Sequence, residues 1–542
     1  MNERLSERLR RNPPLLAAIL LLPAMILLSR DFGATWDERA LQKYGEEIWE
    51  YYRGTRSWSA IDVSFGYTRI YGAFIEVVNL AVQNLVRADT ANIYVVRHAV
   101  NSVFGWAGVI FAFLIASRAF GSRAGWLAAG LLLLMPRYVA DSMNNAKDLP
   151  FAVLMLAAFY YIVTLPPRYP YLPWRHTLKL AIAIALALNV RSMGLVLLGY
   201  AGIGVVVALV AARERSPARI GATAARFAAL CLLALLGGSV FWPWAQEQPL
   251  VRPFQAFFMA SSFSWGNPSL YAGRDVPASE LPWHYLPTWL GITLPPVVLA
   301  GVAVSLARFR DAGVARAQLA ALWAFVLIPA TYAIVRYLTL YDGIRHMFFI
   351  VPPIAVIAAA GWDYLFLHAH GTARLAVAGV LAAGLAEPLW FQVRNHPNQA
   401  VYFNPLVGGP RGAFGRFDMD YWGNCVQEAV DWTAAQAETA RAPIGVSGNA
   451  WEVVAVDVLR HKSLYFRLPY RPGHHFTIWL LKGTRQDIVD ASARGDILHR
   501  VTTADRTPLC IVVPGPEYPR LTAEHRARLE RGAHGAAGQG DR

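Results

Sequence analysis

Carboxylates, arginines and aromatics crowd the stretch Asp31-Phe32-Gly33-Ala34-Thr35-Trp36-Asp37-Glu38-Arg39, directly after an apolar run from Pro14 to Leu28. A carboxylate held charged at the mouth of a membrane cavity can take a proton from a hydroxyl, and Asp37 is the candidate base. Thr35 and Glu38 stand at capping-box spacing, where the two side chains would satisfy backbone N–H groups at a helix start. Beyond them Leu41, Tyr44, Ile48 and Tyr51 recur at helical spacing opposite Glu46, Glu47 and Glu50. That pattern predicts an amphipathic helix lying in the membrane interface. Asp37 would then sit in its first turn, where the helix dipole favours the ionised form. More plainly read, Asp37 and Glu38 merely start a helix.

Other ionisable groups fall at the ends of apolar segments: Arg69; Asp141, Lys147 and Asp148 with Asn144 and Asn145; Arg191; Arg345 with His346. Charges at membrane depth are costly and usually face a cavity, so each is a functional candidate. Carboxylates and cations drawn from separate loops to one side would bind an anion and deprotonate a partner. Phosphate suits arginine, whose planar fork takes two oxygens at once. The catalytic candidates are Asp37, Asp148 and Glu38, and the substrate-binding set is Lys147, Arg191, Arg345, His346, Arg69, Tyr71 and Asn145. Simpler roles stay open: Arg191 and Arg345 could snorkel, Lys147 could pair with Asp148, His346 could only pack, and Asp141 could be a solvated acid. Glu387, inside an apolar segment, is expected to have a structural partner.

The elements that must position these residues are helices in a bilayer. Of 542 residues 55% are hydrophobic and 16% charged, with a net charge of +14; mean hydropathy is +0.33. Those values fit a multi-pass membrane protein rather than a soluble domain. The arginines lie largely between apolar segments, which favours the positive-inside rule over a nucleic-acid groove. Eleven apolar segments are expected to span: 14–29, 97–116, 124–138, 150–165, 178–190, 193–212, 227–245, 288–307, 319–338, 344–362 and 375–391. Arg4, Arg8, Arg10 and Arg11 precede the first, which reads as an uncleaved span with a cytoplasmic N-terminus. Short loops bearing Arg118, Arg123, Arg168, Arg175, Arg213, Arg215, Arg308 and Arg310 then face inward, and everything after about residue 392 faces out. Residues 67–86 read as a second juxtamembrane helix, and 246–287 as a long loop or lid without periodicity.

The fold class expected is therefore a polytopic α-helical membrane domain over 1–392, a small extracytoplasmic α/β domain over 393–515, and a polar, partly disordered tail over 516–542. In the second domain a glycine-punctuated connector (404–423) has no evident role. It leads into a helix at 424–439 and strands near 443–447, 463–468, 475–481 and 509–513, with helices at 450–460 and 485–494. Three cysteines occur. Cys425 and Cys510 fall in the outer domain, where an oxidising compartment would permit a bridge. No cysteine or histidine spacing demands a metal, although the carboxylates leave room for a divalent ion.

The order of motifs has a likeness. A first span is followed by Trp36-Asp37-Glu38-Arg39, then by a Tyr71-Gly72 helix. Next comes Pro136 with Asn144-Asn145-Ala146-Lys147-Asp148-Leu149-Pro150 between two short spans, and finally Arg345-His346-Met347-Phe348-Phe349-Ile350-Val351-Pro352-Pro353. Over roughly residues 10–392 this resembles the GT-C superfamily of lipid-carrier-dependent glycosyltransferases, in its bacterial protein-O-mannosyltransferase-like and aminoarabinose-transferase-like branch. The chain departs from the latter after Arg39, where Ala40-Leu41 stands in place of an aromatic. The resemblance implies a polyprenyl-phosphate-linked sugar donor, a lipid, glycan or protein acceptor, and transfer on the extracytoplasmic side of a bacterial inner membrane. It makes Asp37 the base and matches Asp148 to a second-loop acid. A flippase of a lipid-linked sugar would also need the groove and the cations, but not the first-loop acid or the outer domain. A lipid-linked glycan polymerase or ligase would keep the chemistry and change the acceptor.

Overall fold

Long apolar runs in this chain form helices that end where proline or a buried polar turn intervenes. The computed structural model describes residues 13–65, 69–164, 172–263, 265–310 and 314–523; the arginines at 4–11, Arg168 and the tail beyond 523 lie outside them. All eleven expected segments are helical. Seven helices are long and apolar enough to cross a membrane: Pro13–Asp31, Ile93–Phe120, Ser192–Ala211, Pro217–Gly238, Ala315–Val335, Arg345–His368 and Gly371–Arg394. Two more segments are bent pairs, Pro136–Asn144 with Asp148–Val163 at 108° and Tyr285–Thr293 with Pro296–Arg310 at 116°. The last two, Ser122–Leu133 and Trp174–Leu188, have only 12 and 15 residues, short of the ~20 a straight span needs. By length and composition the described chain thus has seven to nine candidate crossings, the upper figure within two of the eleven expected.

The physical reasons are local. The segment expected at 124–138 stops because Met135, ahead of Pro136, takes an extended conformation (ψ 107°), the usual effect of a following proline. Pro295-Pro296 bends the second pair in the same way. At the first bend Asn145 Oδ1 accepts from the Asp148 N–H at 2.9 Å, restarting the helix with Asp148 in its first turn and Pro150 where no donor is required. Arg345–His368 is the central span, with 78% of its apolar window buried against 11–44% for the other six.

The interfacial helix forms over Glu38–Tyr52 and buries Leu41, Tyr44 and Ile48. The second juxtamembrane helix is shorter than expected, Phe74–Val86. The 246–287 stretch holds a helix, Arg252–Ser261, and a hairpin of β1 (Pro268–Tyr271) and β2 (Arg274–Pro277). Ala272 and Gly273 turn the hairpin with φ of 51° and 81°, the two positive values of a type I′ turn.

The C-terminal domain is a mixed five-stranded sheet, β4-β3-β5-β7-β6. Its strands are β3 (Ile444–Gly448), β4 (Leu464–Phe466), β5 (Phe476–Leu480), β6 (His499–Thr502) and β7 (Pro508–Pro514). β3 pairs in parallel with β4 and β5, and β7 antiparallel with β5 and β6. The exposed edge strand β6 lacks a buried apolar run and gave no signal. Helix Cys425–Ala440 packs on the sheet, and a Cys425–Cys510 disulfide joins its first residue to β7.

Candidate functional site

Asp37 ends the loop that leaves the first span. Contrary to expectation it is the N-cap residue of helix Glu38–Tyr52, and its side chain caps nothing. The carboxylate instead pairs with Arg345 and lies 3.6 Å from Lys147 Nζ. Its side chain is 30% exposed, whereas Asp148 is 1% exposed. Asp148 pairs with Arg191, and its other oxygen is 3.4 Å from Arg345 Nε. Lys147 and Asp148 therefore do not pair with each other. Arg345 also holds Asp342 at 3.2 Å, and Asp342 accepts from Lys482 Nζ at 2.6 Å. Lys147, Arg191, Arg345 and Lys482 thus meet Asp37, Asp148 and Asp342.

Aromatic rings line this cluster. The Tyr71 ring lies 4.5 Å from Lys147 Nζ and 5.8 Å from the Arg191 guanidinium. It is brought there by close backbone contact, since a Cβ on Gly72 would collide with the Asn189 carbonyl, two residues before Arg191. His346 stacks edge-on to Tyr341 at 4.5 Å. Arg69 enters the region through its backbone, whose carbonyl accepts the Trp242 indole N–H at 2.7 Å. Beside the cluster a cavity of about 30 Å³ is lined by Leu41, Tyr44, Tyr71, Gly72, Glu76 and Lys147, among others.

Burial raises the Asp37 carboxyl, but Arg345, then Lys147 and Arg191, outweigh it and hold the group well below the usual carboxylate range. Burial likewise raises Asp342, and Lys482 and Arg345 reverse it, leaving that group lowered too. Both carboxylates are charged at neutral pH.

Glu38 turns the other way. Its carboxylate accepts from the Thr35 N–H at 2.9 Å and from the Thr35 hydroxyl at 3.3 Å, so only one half of the capping box forms. The same carboxylate lies 3.1 Å from His98 Nε2 and 3.6 Å from Arg97 Nε. Arg97, itself 1% exposed, donates to Glu76 at 2.7 Å and Gln42 at 3.0 Å. Glu38 is thereby the anchor of the loop, and Asp37 next to it is the residue presented to the cluster.

Asp141 is buried, accepting from Asn145 Nδ2 at 2.7 Å and the Trp422 indole at 3.1 Å. Asn145 shapes the bend, its side-chain oxygen accepting from the Asp148 N–H at 2.9 Å and the Lys147 backbone N–H at 3.4 Å. Glu387 accepts from the Tyr402 hydroxyl at 2.7 Å, the structural partner expected of it. The central helix carries its charges at two ends. Arg123 and Arg308 both bind Asp363, at 2.7 and 2.8 Å. Asp363 lies 18 residues beyond Arg345, roughly 27 Å at 1.5 Å per residue.

Sequence reasoning missed Asp342, Lys482, Trp422, Arg97 and His98. Asp342 could have been found, because it sits three residues before Arg345 in a Tyr341-Asp342-Gly343 turn. The other four carry no local mark. Among the described residues no three His, Cys, Asp or Glu side chains gather in the way that would hold a metal ion.

No protein-family model and no curated protein matches the chain. Its structure is similar to that of ArnT from Cupriavidus metallidurans bound to undecaprenyl phosphate. That likeness has a TM-score of 0.49 at 12% identity and covers 92% of this chain and 97% of that one. The archaeal oligosaccharyltransferase AglB from Archaeoglobus fulgidus, in complex with an inhibitory peptide and a dolichol-phosphate, is similar at a TM-score of 0.44 and 11% identity. There the cover is 92% of this chain and 76% of that one.

Proposed function

We propose that the chain is a membrane glycosyltransferase that moves a sugar from a polyprenyl-phosphate carrier to an extracytoplasmic acceptor hydroxyl. The observation that carries this reading is the gathering of Lys147, Arg191 and Arg345 around Asp37 and Asp148. A sugar on phosphate already has a good leaving group, so the chemistry asks for cations on the departing phosphate and a base on the incoming hydroxyl. The three cations supply the first. Asp37, 30% exposed and charged, supplies the second, while buried Asp148 orients Arg191 and Arg345. One displacement at the anomeric carbon inverts its configuration. A phosphate sharing Arg345 and Lys147 would loosen their hold on Asp37 and raise its basicity at the moment it is used. The motif order of the sequence, similar to that of the GT-C superfamily, agrees with this division of labour.

The protein sits in a bacterial inner membrane with its N-terminus inside and the C-terminal domain outside. A reporter fused after residue 440 should be active only in the periplasm, and cytoplasmic activity would overturn this orientation. The test of the carrier site is binding of undecaprenyl phosphate to the full chain in detergent. Lys147→Ala, Arg191→Ala and Arg345→Ala should each weaken binding about ten-fold or more, as loss of a charge-assisted contact requires. Unchanged affinity in all three overturns the assignment.

A further inference from the structure

Two arms of the C-terminal domain reach Arg345 from outside the membrane helices. The first is Trp422, at the end of the connector that the sequence left without a role. Its ring lies 4.6 Å from the Arg345 guanidinium, and its indole N–H donates to Asp141. Asp141 in turn accepts from Asn145, whose carbonyl oxygen caps Asp148. One ring therefore sets the face of Arg345 and, through two further hydrogen bonds, the bend that carries Lys147 and Asp148. The connector is itself held, because Asp420 accepts from the Gly423 and Cys425 N–H groups at 2.9 Å each.

The second arm is Lys482, two residues past β5. It binds Asp342, whose other oxygen takes Arg345 Nη1. Asp342 and Gly343 both have positive φ, 55° and 71°, a backbone unfavourable to an ordinary residue. The turn is kept by Lys482 on one side and by the Tyr285 hydroxyl, which accepts the Gly343 N–H at 3.0 Å, on the other.

Arginine offers its N–H groups along the edges of a plane. With its face against Trp422 and Nη1 taken by Asp342, the edge left to Arg345 is Nη2 and Nε, which point at Asp37 and Asp148. Resting on the carrier reading above, we infer that Trp422 and Lys482 are positioning residues that present this edge of Arg345 to the carrier phosphate. Asp342 and Trp422 form the fixed frame, and Asp37 and Asp148 are the partners a phosphate competes with. The outer domain completes the site.

The test uses full-length protein in detergent with undecaprenyl phosphate as probe. Trp422→Leu and Lys482→Met should weaken binding about ten-fold, and Lys482→Arg stays within about three-fold of wild type. Trp422→Phe, which keeps a ring on Arg345 but loses the indole N–H to Asp141, weakens binding less than Trp422→Leu does. In the same proteins, phenylglyoxal modification of Arg345, read by mass spectrometry, should run faster in the Leu and Met variants and near the wild-type rate in the Phe and Arg variants. That second readout needs no lipid. Wild type that binds no undecaprenyl phosphate overturns the carrier reading alone, and the modification rates still decide the positioning role. Equal rates in all five proteins overturn the inference, as does a loss of melting temperature that tracks lost binding in the conservative variants as well.

Discussion

Asp37→Asn separates catalysis from binding and from folding. The substitution keeps the size of the side chain and removes the proton acceptor. Loss of a positioned general base costs about 10²–10⁴ in rate, or about 2.7–5.5 kcal/mol on the barrier. The stability cost is smaller. Asp37 is 30% exposed, and Arg345 retains Asp342 at 3.2 Å and Asp148 at 3.4 Å, while Lys147 loses its carboxylate and keeps the Tyr71 ring at 4.5 Å. Arg345 is only 10% exposed, but Asn still offers it an amide oxygen, so the loss stays at about 1–2 kcal/mol. Carrier affinity should hold or tighten, because a carboxylate that competes with phosphate for Arg345 and Lys147 has gone. The assay is steady-state transfer in proteoliposomes beside undecaprenyl phosphate binding and thermal melting. Wild-type pH profiles add a second check. Arg345 and Lys147 keep the free Asp37 below its ordinary value of 3.8, so the acid limb of kcat/KM should lie below that pH. The limb of kcat, which reports the complex, should lie higher. Full activity in Asp37→Asn with none in Asp148→Asn would pass the role of base to Asp148. Weakened carrier binding in Asp37→Asn would refute the separation of roles altogether.

Three further outcomes follow from the groups around the site. Burial pushes the Asp457 carboxyl up to about 7, against the pull of the Ala34 N–H and Arg460. The folded chain then binds a proton that the unfolded chain releases near pH 3.9, so stability falls as pH rises from about 4 to 7. Asp457→Asn keeps an acceptor for the Ala34 N–H, 3.1 Å away, and should melt higher than wild type at pH 8, by about 2–4 kcal/mol, with the advantage shrinking toward pH 4; equal melting at pH 8 would contradict this. Arg97→Met strands buried Glu76 and takes one cation from buried Glu38, and should cost about 3–5 kcal/mol; a melting temperature within a degree of wild type would show that the network carries no load. Opening the Cys425–Cys510 bridge, which spans 85 residues, with a double Cys→Ala change should lower stability by about 4–5 kcal/mol on the chain-entropy account, a value that denaturant melts of the two proteins can contradict.

Much of the molecule was legible in its residues, for a physical reason. Hydropathy, helical period and proline breaks are sums over neighbours in the chain, so the eleven helical segments, the interfacial helix and most of the C-terminal strands could be read before any contact was known. The same local view placed Asp37, Lys147, Asp148, Arg191 and Arg345 at segment ends on one side. Partner choice is different, because an ion pair depends on where two helices pack and not on what lies beside either residue. Asp37 and Glu38 are adjacent, yet one faces Arg345, 308 positions away, and the other faces Arg97. Nothing in Trp36-Asp37-Glu38-Arg39 distinguishes them; the orientation of helix Glu38–Tyr52 against Ile93–Phe120 does. Trp422 and Lys482 make the same point from farther off. Their types are ordinary for an outer domain, and only the docking of that domain on the membrane helices turned a connector without a role into the floor beneath Arg345.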